Sequence, residues 1–301
     1  MFSGRNALRV SRIVARGVRW RHNTVNGTQY AFDTHTNVPA SILNLVSRQL
    51  HLQDNHPISI LRSKIESQFG SSFTPINTLS PIVTPSQNFD DLSFPQDHPG
   101  RALSDSYYLN KDWMLRTHTS AHEVESFRSP ARDKWLLTAD VYRRDEIDKT
   151  HYPVFHQMEG ARLFNSEDFS GRLEEENRIL SSKLSQSNIN ITDTSSISSN
   201  NPYQAGHNPN HAAMVKENLQ HNLNSLILGL FSGPHSKSAE PLQVRWIDAY
   251  FPFTSPSYEV EVFFQGKWLE ILGCGVVQQS TLDKAGRRFG QATMLSILIA
   301  L

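Results

Sequence analysis

The chain has 301 residues, a length that suits about two domains and allows a sizeable core. Its 38% hydrophobic and 10% aromatic content excludes wholesale disorder, while a mean hydropathy of −0.44 points to long polar stretches. Formal charge is zero, but residues 1–32 hold six arginines and no acid, so the remainder carries 23 basic groups against 29 acidic ones and offers nucleic acid no bulk attraction. The single cysteine, Cys274, excludes a disulfide framework or a multi-cysteine zinc site. No run of about 18 apolar residues is present to span a membrane.

Residues 1–32 read as a targeting presequence. Arg5, Arg9, Arg12, Arg16, Arg19 and Arg21 are interleaved with Ala7, Leu8, Val10, Ile13, Val14 and Val18, which gives a helix one basic and one apolar face. A basic arm is the plainer alternative; the apolar spacing favours mitochondrial import. Cleavage is expected between Trp20 and Tyr30.

Next, Ile58, Leu61, Ile65 and Phe69 predict a helix with Pro57 in its first turn and Gly70 at its end. Five prolines in 74–100 predict loops and extended chain. Trp135–Tyr142 and Tyr152–Phe164 read as strands joined by a hairpin-like loop. Residues 181–210 are so rich in serine and asparagine that a flexible, disordered insertion is expected. A helix over Ala212–Leu230 follows, then strands Leu242–Ile247, Tyr258–Phe264 and Trp268–Leu272, the last two turned by Gly266. Hairpins with intervening helices predict an α+β fold with an antiparallel sheet.

Polar and aromatic residues recur at i, i+2, which places two side chains on one strand face. The pairs are Arg143 with Asp145, Gln157 with Glu159, Phe251 with Phe253, Glu259 with Glu261, and Trp268 with Glu270. Singly, each has a plain structural reading: a surface ion pair, edge-strand packing around Pro252, or a solvated strand face. Together they resemble the floor of a site for a phosphate-bearing ligand and an aromatic or ammonium-bearing one. His118 and His122 are four apart but lack a third ligand at suitable spacing, so zinc is not expected. No glycine-rich phosphate loop is present.

The string from Asp140 to Gly160, with Arg143 and Gln157-Met158-Glu159, resembles the second signature motif of the phenylalanyl-tRNA synthetases. His98-Pro99-Gly100-Arg101, Arg116 to His122, Tyr250 to Ser257, and Trp268 to Gly275 fit the same family in the same order. The likeness covers roughly residues 45 to 285 and is greatest to the monomeric mitochondrial form.

The resemblance implies a class II fold, an antiparallel sheet flanked by helices that holds ATP and phenylalanine on its face. The implied reaction is ATP-dependent attachment of phenylalanine to tRNA(Phe) through phenylalanyl-adenylate, with Mg²⁺, in the mitochondrial matrix, by a monomer with no membrane attachment. Arg143 takes the position of the catalytic motif-two arginine and, with Thr150, His151, Tyr152 and Glu270, of the ATP contacts; Glu270 is also implied near Mg²⁺. Phenylalanine is implied to contact His118, Ser120, Ala121, His122, Glu123, Gln157, Met158, Glu159, Phe251 and Phe253, with Gln157 and Glu159 on its ammonium group and the two phenylalanines edge-to-face on its ring.

The likeness thins around Thr78–Phe89, where the first class II motif is expected, and is lost after Gly286. Neither the third motif, with its phosphate-clamping arginine, nor the ferredoxin-like anticodon domain is recognisable. On this reading residues 33–301 form a partial catalytic domain, and Met294–Leu301 is too short to replace the missing strand-and-helix layer. The alternative is an inactive remnant that at most binds phenylalanine or ATP.

Overall fold

The computed structural model describes residues 22–129, 132–149, 151–165, 167–231, 240–287 and the backbone of 293–300. Most of the expected presequence (residues 1–21) and Thr150 lie outside them. The described residues begin with hairpin β1 (His22–Val25) and β2 (Thr28–Ala31), then helices α1 (Ala40–Leu43) and α2 (Pro57–Phe69). Short strands β3 (Thr74–Ile76), β4 (Ile82–Val83), β5 (Tyr108–Asn110) and β6 (Trp113–Leu115) lead to α3 (Glu123–Arg128). Long strands β7 (Lys134–Tyr142) and β8 (Val154–Phe164) precede α4 (Leu173–Ser185), β9 (Ile189–Asp193) and α5 (Pro209–Phe231). The remainder is β10 (Leu242–Asp248), β11 (Thr254–Phe264), β12 (Lys267–Val277), α6 (Gln279–Lys284) and β13 (Thr293–Ala300).

The fold is α+β. An eight-stranded sheet runs β3-β7-β8-β13-β12-β11-β10-β9, antiparallel except at its two outer pairs, β3 with β7 and β9 with β10. Helix α2 forms where its apolar spacing and Pro57 predict it, with His56 Nδ1 accepting from the Ile58 N–H at 3.3 Å. The β11–β12 turn is closed by Gln265 and Gly266, both at positive φ (51° and 82°), which suits a tight hairpin.

Strand alternation separates two cores. On one face Leu136, Met158, Trp246, Tyr258, Val260 and Val262 pack against Ile65 of α2, Leu173 of α4, and Val215, Leu219, Leu223 and Ile227 of α5. The α5 residues recur every three or four positions, the stripe an amphipathic helix buries. On the other face Leu137, Ala139, Ala161 and Val277 meet Val124 and Phe127 of α3 and Leu282 of α6. Farther along that second face Glu259, Glu261 and Glu270 still reach solvent.

The structure bears on three expectations. Residues 22–31, within the expected presequence, form the β1–β2 hairpin, which packs on the body with Val25 buried in a cluster with Tyr107 and Leu109, and Tyr30 edge-on to Trp113. Residues 181–210 are not a disordered insertion. They contain the end of α4 and all of β9, and their polar side chains are fastened to the sheet. Asn201 Nδ2 donates to the Ser257 carbonyl (2.9 Å) and its Oδ1 accepts from the Ser257 N–H (2.7 Å), while Gln204 Nε2 donates to the carbonyls of Ser255 (3.0 Å) and Val277 (2.9 Å). Hydrogen bonds, rather than apolar burial, order this stretch. Finally, the tail does supply a sheet strand: β13 pairs on one side with β8 and on the other with β12.

Candidate active site

Gln157 and Glu159 project from the same face of β8, as the two-residue spacing requires, and both are buried. The same parity removes Met158 from the site: its side chain lies in the opposite core with Leu136 and Val260. Gln157 Oε1 accepts from the Thr119 N–H at 3.2 Å, and Arg143 Nε donates to the Thr117 carbonyl at 2.9 Å. The segment between them is thus held from two sides, with His118 in the middle. The Arg143 guanidinium lies over the Phe155 ring, 5.2 Å from its centroid, and makes no ion pair among the described residues. A forked cation without a carboxylate partner is suited to a phosphate or carboxylate ligand.

Several buried polar groups here lack hydrogen-bond partners among the described residues. Neither ring nitrogen of His118 has one, nor does Ser120 Oγ, nor either carboxylate oxygen of Glu123. Burial, and then the positive charge of Arg143, pull the His118 pKa down to about 3, so its ring is neutral near pH 7. Burial, and then the charge of Glu159, push the Glu123 pKa well above the usual carboxylate range. Unsatisfied buried groups are costly. A ligand carrying an ammonium group would repay that cost at the Glu123–Glu159 end of the site.

An aromatic wall adjoins these groups. Phe251 and Phe253 are stacked with centroids 5.9 Å apart, and Phe253 lies 6.1 Å from Phe94. Phe94 is in turn stacked on His118 at 5.6 Å and edge-on to His98 at 4.8 Å. Phe94 links the aromatic and polar halves of the site, yet it comes from a proline-rich loop and shares no local spacing with either half. Gly273, within the Trp268 to Gly275 motif, serves this wall by having no side chain. A Cβ there would sit 2.6 Å from Phe251 Cζ, so the bare backbone of β12 makes room for that ring.

Other expected contacts are placed differently. His122 turns away into a buried network, with Nε2 3.0 Å from Arg116 Nη1 and Nδ1 3.2 Å from Glu125, so its side chain is structural. Ala121 packs among Val83, Phe89, Tyr108 and Met114, with Phe94 against the cluster. His151 is exposed and held by Asp148, with Nδ1 2.9 Å from Oδ2, a contact that raises its pKa. Tyr152 lines a cavity whose walls include neither Arg143 nor Gln157. Glu270 is exposed opposite Glu261, which is paired with Arg245. Burial, then the charges of Glu270 and Glu261, raise the pKa of neighbouring Glu259, and among the described residues no group of three or more His, Cys, Asp or Glu side chains converges as a metal site.

The family described as tRNA synthetases class II core domain (F) matches residues 42–175 and 213–295. The mitochondrial phenylalanine–tRNA ligase of Saccharomyces cerevisiae is 41% identical over 295 residues, which cover 88% of this chain and 63% of that protein. The mitochondrial enzyme of Rattus norvegicus is 39% identical over 286 residues (92% and 56%), and the chloroplastic/mitochondrial enzyme of Arabidopsis thaliana 40% identical over 258 (84% and 50%). This chain therefore spans between half and two thirds of the length of these relatives. The family match covers most of the chain and includes every strand from β3 to β8, so the chain belongs to the class II tRNA synthetase core-domain family, type (F).

Proposed function

We propose that the protein is a phenylalanine–tRNA ligase acting in the mitochondrial matrix as a monomer. The observation that carries this reading is the clamped segment Thr117–Thr119, which brings the unpaired guanidinium of Arg143, the amide of Gln157 and the aromatic wall around one neutral imidazole. In the first step a phenylalanine carboxylate oxygen bonds to the α-phosphorus of ATP, and pyrophosphate leaves with the electrons of the broken P–O bond. Arg143 holds the carboxylate and α-phosphate in one fork and offsets the charge that develops between them. Glu159 and Gln157 hold the ammonium group, while Phe253, Phe251 and Phe94 receive the ring. In the second step a ribose hydroxyl of the terminal tRNA adenosine bonds to the acyl carbon; AMP leaves, and the hydroxyl proton goes to solvent.

His151 is assigned to the ATP phosphates, and its Asp148 partner favours the cationic ring this needs. Thr150 shares that loop and is assigned with it, whereas the placement of Tyr152 argues for a structural part. Glu270, with Glu259, would hold Mg²⁺, which supplies charge neutralisation on the phosphates. Targeting is assigned to the arginine-rich segment within residues 1–21. The test is phenylalanine-dependent exchange of pyrophosphate into ATP by the whole chain, followed by charging of mitochondrial tRNA(Phe). Exchange lost in Arg143→Ala supports the assignment. A chain that binds phenylalanine with no exchange is instead a non-catalytic remnant.

A further inference from the structure

A cavity of about 340 Å³ lies behind the motif-two strands, walled by Leu45, Leu50, Ile58, Val154 and Phe155, with Arg48, Gln49, Asp140, Tyr152 and His156 completing its lining. Its size is within the usual range of small-molecule sites, about 300–1,000 Å³. Of strand β8, Val154 and His156 face the cavity and Gln157 and Glu159 the aminoacylation site, while Phe155, between them, both walls the cavity and lies under the Arg143 guanidinium.

The charges in the cavity are specific. Asp140 is already neutralised by Arg116 at 2.6 Å and by the Tyr142 hydroxyl. Arg48 has no ion-pair partner among the described residues, which leaves the lining one free positive charge. His156 Nε2 is buried without a hydrogen-bond partner, and its ring lies 5.4 Å from that of His51, whose Nε2 is occupied by the Asn77 carbonyl at 3.0 Å. Burial, and then the adjacent His51, hold the His156 pKa down to about 4, so this ring is a neutral polar group. Gln49, in the wall, has a left-handed backbone (φ 42°), a conformation a side chain seldom adopts without a local reason.

We propose that this cavity binds a small molecule with an apolar body and a single carboxylate, the body lying against Leu45, Leu50, Ile58 and Val154 and the carboxylate meeting Arg48. One cation matches one negative charge; a phosphomonoester dianion would be left half-paired here. The cavity touches the site for phenylalanine and ATP only through the Phe155 ring and is walled by neither Arg143 nor Gln157, so both can be filled together.

The test uses octanoate and 1-octanol as probes, with the whole chain saturated with phenylalanine and binding followed by calorimetry and ligand-observed NMR. Octanoate is expected to bind one-to-one. Arg48→Ala should weaken it at least about tenfold, the scale of a lost hydrogen bond to a charged group, and leave octanol within about twofold. Ile58→Trp, which fills the cavity, should weaken both at least about tenfold. Arg48 is exposed, so its variant keeps the test valid should Ile58→Trp fail to fold. Octanoate that is displaced by phenylalanine, that binds Arg48→Ala as well as wild type, or that fails to bind at roughly 10 mM overturns the proposal.

Discussion

Arg116 and Asp140 meet at 2.6 Å with both side chains almost wholly shut off from water. The same guanidinium donates to the carbonyls of Asp140 (2.7 Å) and Ser80 (3.0 Å), so one side chain ties the start of β4 to the end of β7. Asp140→Asn leaves that buried cation short of a counter-charge and should cost about 3–5 kcal/mol. Arg116→Met/Asp140→Leu, which removes both charges, should recover part of the loss. Urea denaturation of the three proteins checks this; an Asp140→Asn protein within 1 kcal/mol of wild type, on the order of an exposed pair, would show that the pair is not isolated from water.

Arg143→Ala should lower pyrophosphate exchange by roughly a hundredfold or more, the scale of losing one charge-stabilising donor. Arg143→Lys keeps the charge but loses the fork and should recover little. Glu159→Gln should act mainly on the amino acid, raising its KM with the KM for ATP nearly unchanged. Exchange kinetics at varied phenylalanine and ATP separate the two effects.

Gly273→Ala places a methyl group where Phe251 Cζ now lies. The ring must move, and the KM for phenylalanine should rise about tenfold, the scale of a disturbed apolar contact, with ATP kinetics little changed. Phe251→Leu in the Gly273→Ala background should restore part of the affinity. Equal damage to ATP and phenylalanine kinetics would place the fault in the sheet rather than in the pocket.

Two buried groups give pH dependences of opposite sign. The His118 pKa is depressed in the folded state, to about 3, so its contribution is full above the unfolded value near 6.5 and is lost as pH falls toward 3. The Glu123 pKa is raised, so folding is favoured below the unfolded value near 4.3 and stability declines as pH climbs above it. His118→Asn should therefore flatten the acid limb of a stability–pH profile, and Glu123→Gln the limb above pH 5. Denaturation midpoints across about pH 4 to 9 test both, and unchanged slopes would contradict the burial of either group.

Where structure follows from short-range apolar spacing, the sequence was sufficient to read it. Helix α2, strands β7 and β8, and the pairing of Gln157 with Glu159 are of this kind, since period and turn residues act within a few positions. Three features escaped for different physical reasons. The segment through β9 is ordered by backbone pairing and by Asn201 and Gln204, and four of its five strand residues are exposed, so composition resembled disorder. His122 and Met158 lie within the motifs, but backbone direction sends their side chains into a buried network and a core. Phe94 reaches its partners only through tertiary folding, and no local pattern foretells such a meeting.

The place of β13 bears on how the sheet is assembled. Strands β3, β7 and β8 form one ribbon and β12, β11, β10 and β9 another, and among the described residues the strand that bridges them is β13, which follows the other seven in the chain. Until it arrives, each ribbon displays a row of open backbone donors and acceptors, along β8 and along β12, ready to accept any extended chain. Closure therefore waits until β13 has been made and joins β8 to a partner far along the chain, a slow kind of pairing. The β8 edge stays open while more than a hundred further residues are made and the β12 edge only until the next strand follows, so a chaperone that shields extended edges would act first along β8.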